Sequence, residues 1–279
     1  MATGGPRIHM LAVLQIGLAA SAMTVPTSAP IESDPRVRAF AEAYAPLIDS
    51  VTYRDGDMVF TLGGRPIRFQ DGRMLEEGRL DRSTDCDPIF YRYSLVPLTE
   101  PPTPEELPTY CTDVAESLWG RTEDEIRTHG RSATFLDHLV FVNRLLLGPL
   151  AAVERDLLDA AARDASVARW IEDLRITYSF ITRDIAETRT QSYHGWGMAI
   201  DLVPTSYEGR QVYWRWSQVF DREGWHRIPI EQRWSPPQAV VAIFESQGFV
   251  WGGKWSHFDA IHFEYRPEIL LYNRLIAGQ

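Results

Sequence analysis

The sequence predicts an α+β fold in which a small antiparallel sheet packs against helices and follows a smaller, turn-rich region of strands. Three observations predict it. Asp-Gly and Gly-Gly pairs separate short apolar runs in residues 53–75, YRDGDMVFTLGGRPIRFQDGRML, a pattern typical of consecutive β-hairpins. Apolar residues recur every three or four positions in residues 135–164, which favours helix. The stretches MAIDLV (198–203) and IHFEY (261–265) are predicted as strands.

The remaining elements follow in chain order. A short helix is predicted from Val37 to Ile48, before the hairpins. The long helical pattern contains the pair Gly148-Pro149, which predicts a break in its middle because proline lacks an amide hydrogen. A second helix is predicted from Ser166 to Leu174, and the following RITYSFI, residues 175–181, is predicted as a strand.

The composition is that of a globular protein that can bury a core. Of the 279 residues, 44% are hydrophobic and 24% are charged, and the formal net charge is -10. A nucleic-acid-binding protein usually carries a basic face, so this charge argues against that class. We expect two folded regions. Residues 36–116 form a hairpin-rich region of unknown role, and residues 130–279 form a domain that carries the candidate site.

The N-terminal residues 1–29 have the pattern of a secretory signal peptide and a lead-in segment. Arg7 and His9 precede an apolar run of 13 residues that ends in Ala20-Ser21-Ala22, a small-x-small cleavage pattern. The run is shorter than the roughly 20 residues of a membrane span, so an uncleaved anchor is the less favoured alternative. We expect an exported protein of the periplasm, the extracellular space or the cell envelope, with no stable membrane span after cleavage.

Export gives a role to the two cysteines of the chain. Cys86 and Cys111 lie 25 positions apart and flank a proline-rich segment, and two such cysteines usually pair in an oxidising compartment. Neither cysteine has a histidine or a second cysteine at ligand spacing, so a metal-binding role is less favoured. The sequence therefore predicts a structural disulfide.

Residues capable of metal and acid–base chemistry gather in the last hundred positions. In SYHGWGMAID, residues 192–201, a glycine-rich reversal before a strand can bring His194 and Asp201 side by side. Asp259, His262 and Glu264 follow in GFVWGGKWSHFDAIHFEY, residues 248–265. Two histidines and a carboxylate that converge from separate strands form a ligand set for zinc with one open position. A second carboxylate beside them would supply a base.

These two stretches resemble a known family. Ser192, His194, Gly197, Ala199 and Asp201 match the pattern S-x-H-x-x-G-x-A-x-D of the D-alanyl-D-alanine carboxypeptidase-like metallopeptidases, within the lysostaphin and Hedgehog zinc-fold superfamily. The downstream WGGKW and DAIHFE are similar to the family's second motif, in the branch that has Asp-x-x-His. The resemblance covers roughly residues 175–272 and implies a zinc peptidase domain, whereas residues 36–130 resemble no family.

The resemblance also implies a role for each matching residue. It makes His194, Asp201 and His262 the zinc ligands and Asp259 the catalytic carboxylate. Ser192 falls on the motif serine, which implies a hydrogen-bonding residue close to the metal and the substrate.

Further residues are assigned from their positions beside the motifs. The family implies an arginine upstream of the first motif that contacts the substrate, and Arg183 is preferred to Arg189 because it follows the predicted strand. Trp255 is expected to line the substrate groove. His257 is a rival ligand that lies outside the second motif. Glu264 is expected either to support His262 or to form a plain ion pair.

Together these residues predict an exported zinc metallopeptidase that hydrolyses peptide bonds of peptidoglycan stem peptides, as a D,D- or L,D-carboxypeptidase. Zinc would polarise the scissile carbonyl and acidify a water, and Asp259 would take the proton. Three alternatives stay open. They are a non-catalytic zinc module that binds cell wall or a partner protein, a peptidoglycan endopeptidase, and a secreted hydrolase of another amide. No nucleic-acid partner is expected.

Overall fold

The computed structural model describes residues 34–188 and 190–278, and it confirms the α+β class. Its helices are α1 (Pro35–Ala43), α2 (Asp113–Trp119), α3 (Glu123–His129), α4 (Leu147–Ala161), α5 (Ala165–Glu172), α6 (Trp214–Phe220), α7 (Gln238–Ser246) and α8 (Pro267–Ala277). Its strands are β1 (Ile48–Arg54), β2 (Asp57–Leu62), β3 (Arg65–Gln70), β4 (Arg73–Glu76), β5 (Gly130–Phe135), β6 (His138–Asn143), β7 (Leu174–Tyr178), β8 (Ala199–Pro204), β9 (Phe249–Trp251) and β10 (His262–Tyr265). The predicted signal peptide and Arg189 lie outside the described residues.

The N-terminal sheet is the predicted meander of hairpins. Its strands pair antiparallel in the order β1-β2-β3-β4. The three connecting turns are Asp55-Gly56, Gly63-Gly64 and Asp71-Gly72, and every residue in them has a positive φ. Two-residue hairpin turns of this kind match the natural twist of the strands they join, which is why they are common in tight hairpins. The prediction from the turn residues is confirmed.

The second four-stranded sheet has the order β7-β8-β10-β9, with all neighbours antiparallel. Its two central strands, β8 and β10, come from stretches of sequence about sixty residues apart, and His262 pairs with Asp201 across them. Helix α7 covers this sheet, and the ring of Phe244 stacks on Phe263 with 4.1 Å between centroids. The predicted strands MAIDLV and IHFEY are therefore neighbours in one sheet.

The helix predicted across residues 135–164 is wrong in its first part. Strands β5 and β6 form a hairpin there, and Leu136 and Asp137 make the turn with φ of 46° and 64°. Val140 and Val142 are buried on one side of β6, so the same apolar spacing serves a strand. Pro149 lies in the first turn of α4, where its missing amide hydrogen costs nothing, so it does not break a helix.

The other element boundaries differ by a few residues from those predicted. The helix expected from Val37 to Ile48 ends at Ala43, and a 3₁₀ turn at Ala45–Leu47 leads into β1. Pro46 explains the early end, because the ring disfavours α-helical geometry in the residue before it. The helix expected at Ser166–Leu174 is α5, and the strand expected at 175–181 is β7, which ends at Tyr178.

Residues 77–112 connect the N-terminal sheet to the remainder of the chain. The predicted disulfide between Cys86 and Cys111 is confirmed, and it closes the proline-rich segment between them. The amide of Asp87 donates to the Thr109 carbonyl at 2.7 Å, and the Thr109 amide donates to the Asp87 carboxylate at 2.8 Å. The two ends of this segment are thus held together by covalent and hydrogen bonds.

One buried apolar cluster extends through both of the regions expected at residues 36–116 and 130–279. It includes Phe40 and Phe60 on the N-terminal side and Phe263 and Ile269 on the C-terminal side. Helix α1 packs against α8, so the two ends of the described chain meet. In the part of the chain that the structure covers, no helix has the length and apolar character of a membrane span.

Candidate metal centre

Three buried side chains meet at one point beside strands β8 and β10. His194 Nε2 lies 3.0 Å from Asp201 Oδ1 and 3.1 Å from His262 Nδ1, and His262 Nδ1 lies 2.9 Å from Asp201 Oδ1. Around a tetrahedral zinc ion with bonds of about 2.0 Å, ligand atoms are about 3.3 Å apart. The three atoms therefore have nearly the spacing of three corners of a tetrahedral site, which makes them a candidate metal cluster.

His194 is positioned by the turn that precedes β8. The turn is a 3₁₀ helix at Tyr193–Trp196, and the Ser192 hydroxyl accepts a long hydrogen bond from the His194 amide, 3.4 Å. Gly197 ends the turn with a φ of +67°. A Cβ at Gly197 would lie 2.7 Å from the Asn143 amide nitrogen, so a side chain there would push β6 away from the turn. The glycine thus lets the chain reverse close against the β5–β6 hairpin.

Asp201 and His262 are positioned by the sheet itself. They are directly opposite each other on β8 and β10, so a single ladder of backbone hydrogen bonds fixes their separation. Side chains of directly paired strand residues lie about 5 Å apart at Cβ, within reach of a common ion. Two of the three candidate ligands therefore depend on the correct register of these two strands.

The outer nitrogen of each imidazole is held by an acceptor. His194 Nδ1 lies 2.7 Å from the Ser179 carbonyl, and His262 Nε2 lies 3.2 Å from Glu264 Oε2. When both outer nitrogens carry the hydrogen, His194 Nε2, His262 Nδ1 and Asp201 Oδ1 all present lone pairs to one another. Three acceptors this close and this buried require a cation or a proton between them. This arrangement fits a zinc ion.

In the metal-free site a proton takes the place of the cation. Burial lowers the pKa of the His262 imidazole, but the hydrogen bonds that the ring donates to Asp201 and Glu264 outweigh it and raise the pKa to about 10. Burial works to raise the pKa of the Asp201 carboxyl, yet His194 and His262 lower it far below its usual range. The metal-free cluster is therefore an Asp carboxylate beside a protonated imidazole.

Asp259 lies beside this cluster at the inner end of a cavity. Its Oδ1 atom is buried and has no hydrogen-bond partner among the described residues, although the residue as a whole is partly exposed. Burial and the nearby charge of Asp201 raise the pKa of the Asp259 carboxyl to about 6. A desolvated carboxylate with a raised pKa and an oxygen that lacks a hydrogen-bond partner among the described residues is a good proton acceptor near neutral pH.

The backbone around Asp259 is tightly fixed. Tyr213 and Asp259 form an antiparallel bridge, and the Asp259 amide donates to the Gly252 carbonyl at 3.0 Å. A Cβ at Gly252 would lie 2.6 Å from the Asp259 carbonyl oxygen, so the WGGKW motif needs glycine at this position. The second motif thus places a carboxylate beside the ligands and keeps it there.

A cavity of about 200 Å³ opens in front of the cluster. Asp259, His262, Ser192 and Trp255 line it, so the structure brings these sequence-predicted residues together. Arg183 lies at its exposed edge, where its guanidinium makes no hydrogen bond or ion pair with any described residue. The Trp255 ring lies 5.4 Å from that of His262.

His257, the rival ligand, is away from the cluster. Its ring packs against Trp214 and Trp225, with centroid distances of 4.7 and 4.9 Å. It lines the cavity as part of an aromatic wall. In the described residues, the grouping of potential metal ligands contains His194, Asp201 and His262 and leaves His257 out.

One wall of the cavity escaped the sequence analysis. It comes from the disulfide-closed segment, and it includes Tyr91, Arg92, Glu105, Glu106 and Tyr110. No periodicity or motif marks these residues as functional. The cysteine pair and the prolines predict a loop closed by a disulfide. They do not indicate which surface of the protein that loop covers.

The comparisons with known proteins agree with this geometry. Residues 186–265 match the family model described as D-alanyl-D-alanine carboxypeptidase. The matched segment contains all three candidate ligands and Asp259, whereas Arg183 and the cavity wall of residues 91–110 fall outside it. No solved structure matches the chain. The segment that holds the candidate metal centre is therefore similar, as its motifs predicted, to the D-alanyl-D-alanine carboxypeptidase family.

Proposed function

We propose that this chain is an exported zinc metallopeptidase that hydrolyses peptide bonds of peptidoglycan stem peptides, as a D,D- or L,D-carboxypeptidase. The observation that carries the proposal is the unpaired, buried Oδ1 of Asp259 beside a three-ligand cluster. A purely structural zinc site normally has four protein ligands and needs no such base. The family match over residues 186–265 supports the same reaction class.

The ligand set is chemically suited to zinc. Two neutral imidazoles and one carboxylate are common protein ligands of this ion, and they leave a coordination position open. A zinc ion held by His194, Asp201 and His262 would supply Lewis acidity toward the scissile carbonyl and the attacking water. All remaining chemistry is assigned to the side chains of the chain itself.

Asp259 is the proposed general base. Its carboxylate accepts a proton from the attacking water and later delivers it to the departing amine. The Tyr213 bridge and the hydrogen bond to the Gly252 carbonyl fix the backbone of Asp259, from which the carboxylate extends. Desolvation keeps its pKa close to the working pH, where a base is most effective.

Arg183 is the proposed carboxylate-binding residue. Its guanidinium lines the cavity without a partner among the described residues, so it is available to a substrate carboxylate. An arginine binds a carboxylate through two parallel hydrogen bonds, which fixes orientation as well as adding affinity. This contact favours cleavage next to a free C-terminus and hence a carboxypeptidase. Ser192 and Trp255 complete the substrate contacts.

Export and the cell-wall substrate are proposed on two grounds. The pattern of residues 1–29 is that of a secretory signal. The Cys86–Cys111 disulfide is typical of an oxidising compartment. Stem peptides that end in D-amino acids occur outside the cytoplasm, where such a protein would meet them.

The test is incubation of the purified mature protein with defined muropeptides, followed by mass spectrometry. We expect loss of a single C-terminal residue, no reaction in the presence of a chelator, and recovery when zinc is added. Cleavage at an internal bond would support an endopeptidase instead. A protein that holds zinc but leaves every muropeptide and control peptide intact would be a non-catalytic binding module.

A further inference from the structure

A chain of buried hydrogen bonds leads from the metal cluster toward the N-terminal region, and two of its members, Glu264 and Arg266, also line the cavity. His262 Nε2 faces Glu264 Oε2 at 3.2 Å, and Glu264 Oε1 accepts from Arg266 Nη1 at 3.0 Å. Arg266 Nε donates to Glu268, whose second carboxylate oxygen accepts from the Tyr44 hydroxyl at 2.8 Å. Tyr44 directly follows helix α1, so the chain of contacts joins a candidate ligand to the N-terminal region.

Every member of this chain is buried, and none is more than 7% exposed. Arg266 uses Nε, Nη1 and Nη2 for Glu268, Glu264 and the Ile89 carbonyl, so its guanidinium has a partner on each nitrogen. A charged group in such surroundings persists only when its partners are fixed in position. Removing one partner changes the position or charge balance of all the others.

Arg266 also touches the turn that carries the other histidine. Its guanidinium lies 4.7 Å from the ring centroid of Tyr193, the residue before His194. The rings of Tyr91 and Tyr110, which line the cavity, lie within 5.9 Å of the same group. One side chain therefore contacts both ligand-bearing segments and the wall of the cavity.

We propose that Arg266 and Glu268 are positioning residues for the metal centre. They hold Glu264 where it accepts the hydrogen of His262 Nε2. In this tautomer Nδ1 carries no hydrogen and its lone pair faces the metal site. Tyr44 holds Glu268 from the other side, and so the N-terminal region, which lies outside the family match, contributes to metal affinity. The inference rests on the proposed metal site but not on the proposed substrate.

The experiment measures zinc affinity in the full-length mature protein by competition with a chromophoric chelator. The variants are Glu264→Gln, Arg266→Lys, Glu268→Gln and Tyr44→Phe. A matched control is Asp113→Asn, which alters another buried carboxylate paired with an arginine, in this case Arg79. Visible absorption of the Co²⁺-loaded proteins reports the ligand geometry, and the melting temperature of the metal-free proteins reports folding.

We expect zinc affinity to fall about 10- to 100-fold in Glu264→Gln, about tenfold in Arg266→Lys and Glu268→Gln, and a few-fold in Tyr44→Phe. The Co²⁺ absorption bands should shift in the first three, and Asp113→Asn should match wild type in both readings. If Arg266→Lys does not fold, Glu268→Gln and Tyr44→Phe still decide the question.

Two results would overturn the proposal. Wild-type zinc affinity and Co²⁺ spectra in Glu268→Gln and Tyr44→Phe, with only a lower metal-free melting temperature, would show that these residues stabilise the fold alone. An equal loss of affinity in Asp113→Asn would show a general effect of destabilisation. Because no reading depends on peptide cleavage, failure of the proposed function would leave this test intact.

Discussion

The two four-stranded sheets of this chain differ in how far their polar side chains are exposed to solvent. In the N-terminal sheet, Arg68 on β3 pairs with the half-buried Asp57 and Glu77 and with Asp55, whose side chain is 84% exposed. In the second sheet, the polar side chains of β8 and β10 are buried and face one another. Solvated charges contribute little to stability, whereas buried charges must be satisfied by specific partners.

The difference follows from how each sheet is connected. Short hairpins join β1 to β4 in sequence order, so residues that meet across strands are near neighbours in the chain. In the second sheet, His262 meets residues 61 and 68 positions earlier, Asp201 and His194. A sheet built from distant segments can bring together chemically different side chains that no single hairpin contains. The candidate metal cluster accordingly lies at the sheet with the non-local pairing.

The largest expected effect is loss of the metal. Replacing His262 with alanine leaves two ligands, so zinc content should fall from about one ion per chain to nearly none. Elemental analysis after dialysis measures this. His257→Ala is the matched control and should keep its zinc, because His257 packs against tryptophans outside the cluster. Zinc retained by His262→Ala and lost by His257→Ala would show that the ligand is His257 and that His262 is not.

The next largest effect concerns Asp259. Asp259→Asn keeps the shape of the side chain but cannot accept a proton, so the rate of muropeptide cleavage should fall about 10²- to 10⁴-fold. Zinc content and melting temperature should stay at wild-type values, because neither a ligand nor the core is changed. A wild-type rate in this variant would exclude Asp259 as the base.

The disulfide closes the segment that lies between the two sheets in the chain, and it offers a third test. Replacing Cys86 and Cys111 with serine frees a segment of 25 residues, and chain entropy predicts a loss of about 3.5 kcal/mol in the free energy of unfolding. Urea denaturation measures the loss. Because the segment forms a wall of the cavity, we expect KM to rise. An unchanged KM would mean that the wall does not contact substrate.

Zinc affinity should depend on pH. The raised pKa of His262 means that the metal-free site holds a proton throughout the neutral range, and zinc must displace it. Apparent affinity should therefore rise about tenfold per pH unit between pH 6 and 8, because a higher pH removes the competing proton. Competition titrations at several pH values measure the slope. A flat profile would contradict the assigned protonation.

The smallest effect is expected in the N-terminal sheet. Asp55→Ala removes one exposed partner of Arg68, which keeps Asp57 and Glu77. The melting temperature should change by less than about 3 °C, since exposed ion pairs contribute at most about 1 kcal/mol. Calorimetry checks this. If Asp55→Ala lowered the melting temperature as much as Glu264→Gln does, the expected difference between the two sheets would be contradicted.

Local signals in the sequence predicted much of the fold. The Asp-Gly and Gly-Gly turns identified the N-terminal hairpins, because two-residue turns constrain the backbone strongly. The β5–β6 hairpin was missed, because its turn is Leu136-Asp137, a pair with no turn signature, and its valines also suit helical spacing. Where the turn lacks glycine, proline or asparagine, the spacing of apolar residues alone does not distinguish a helix from a β-hairpin.

The candidate site was predictable where a motif fixes several residues at once. His194, Asp201, Asp259 and His262 are brought together as the motifs implied. The contribution of Tyr44, Arg266 and the residues 91–110 was not predictable, because each depends on contacts between segments far apart in the chain. Burial of Arg266 in particular runs against the usual surface position of arginine, so composition gave no indication of it.

Strand β10 is made late in the life of the chain. Proteins are synthesised from the N-terminus, so the hairpins of residues 48–76 can fold before His262 and Glu268 exist. A nascent molecule can therefore contain the first hairpins while it still lacks the candidate ligand His262. A premature stop codon upstream of position 262 would arrest the product at that stage. Such a product would lack His262 and with it the candidate metal cluster.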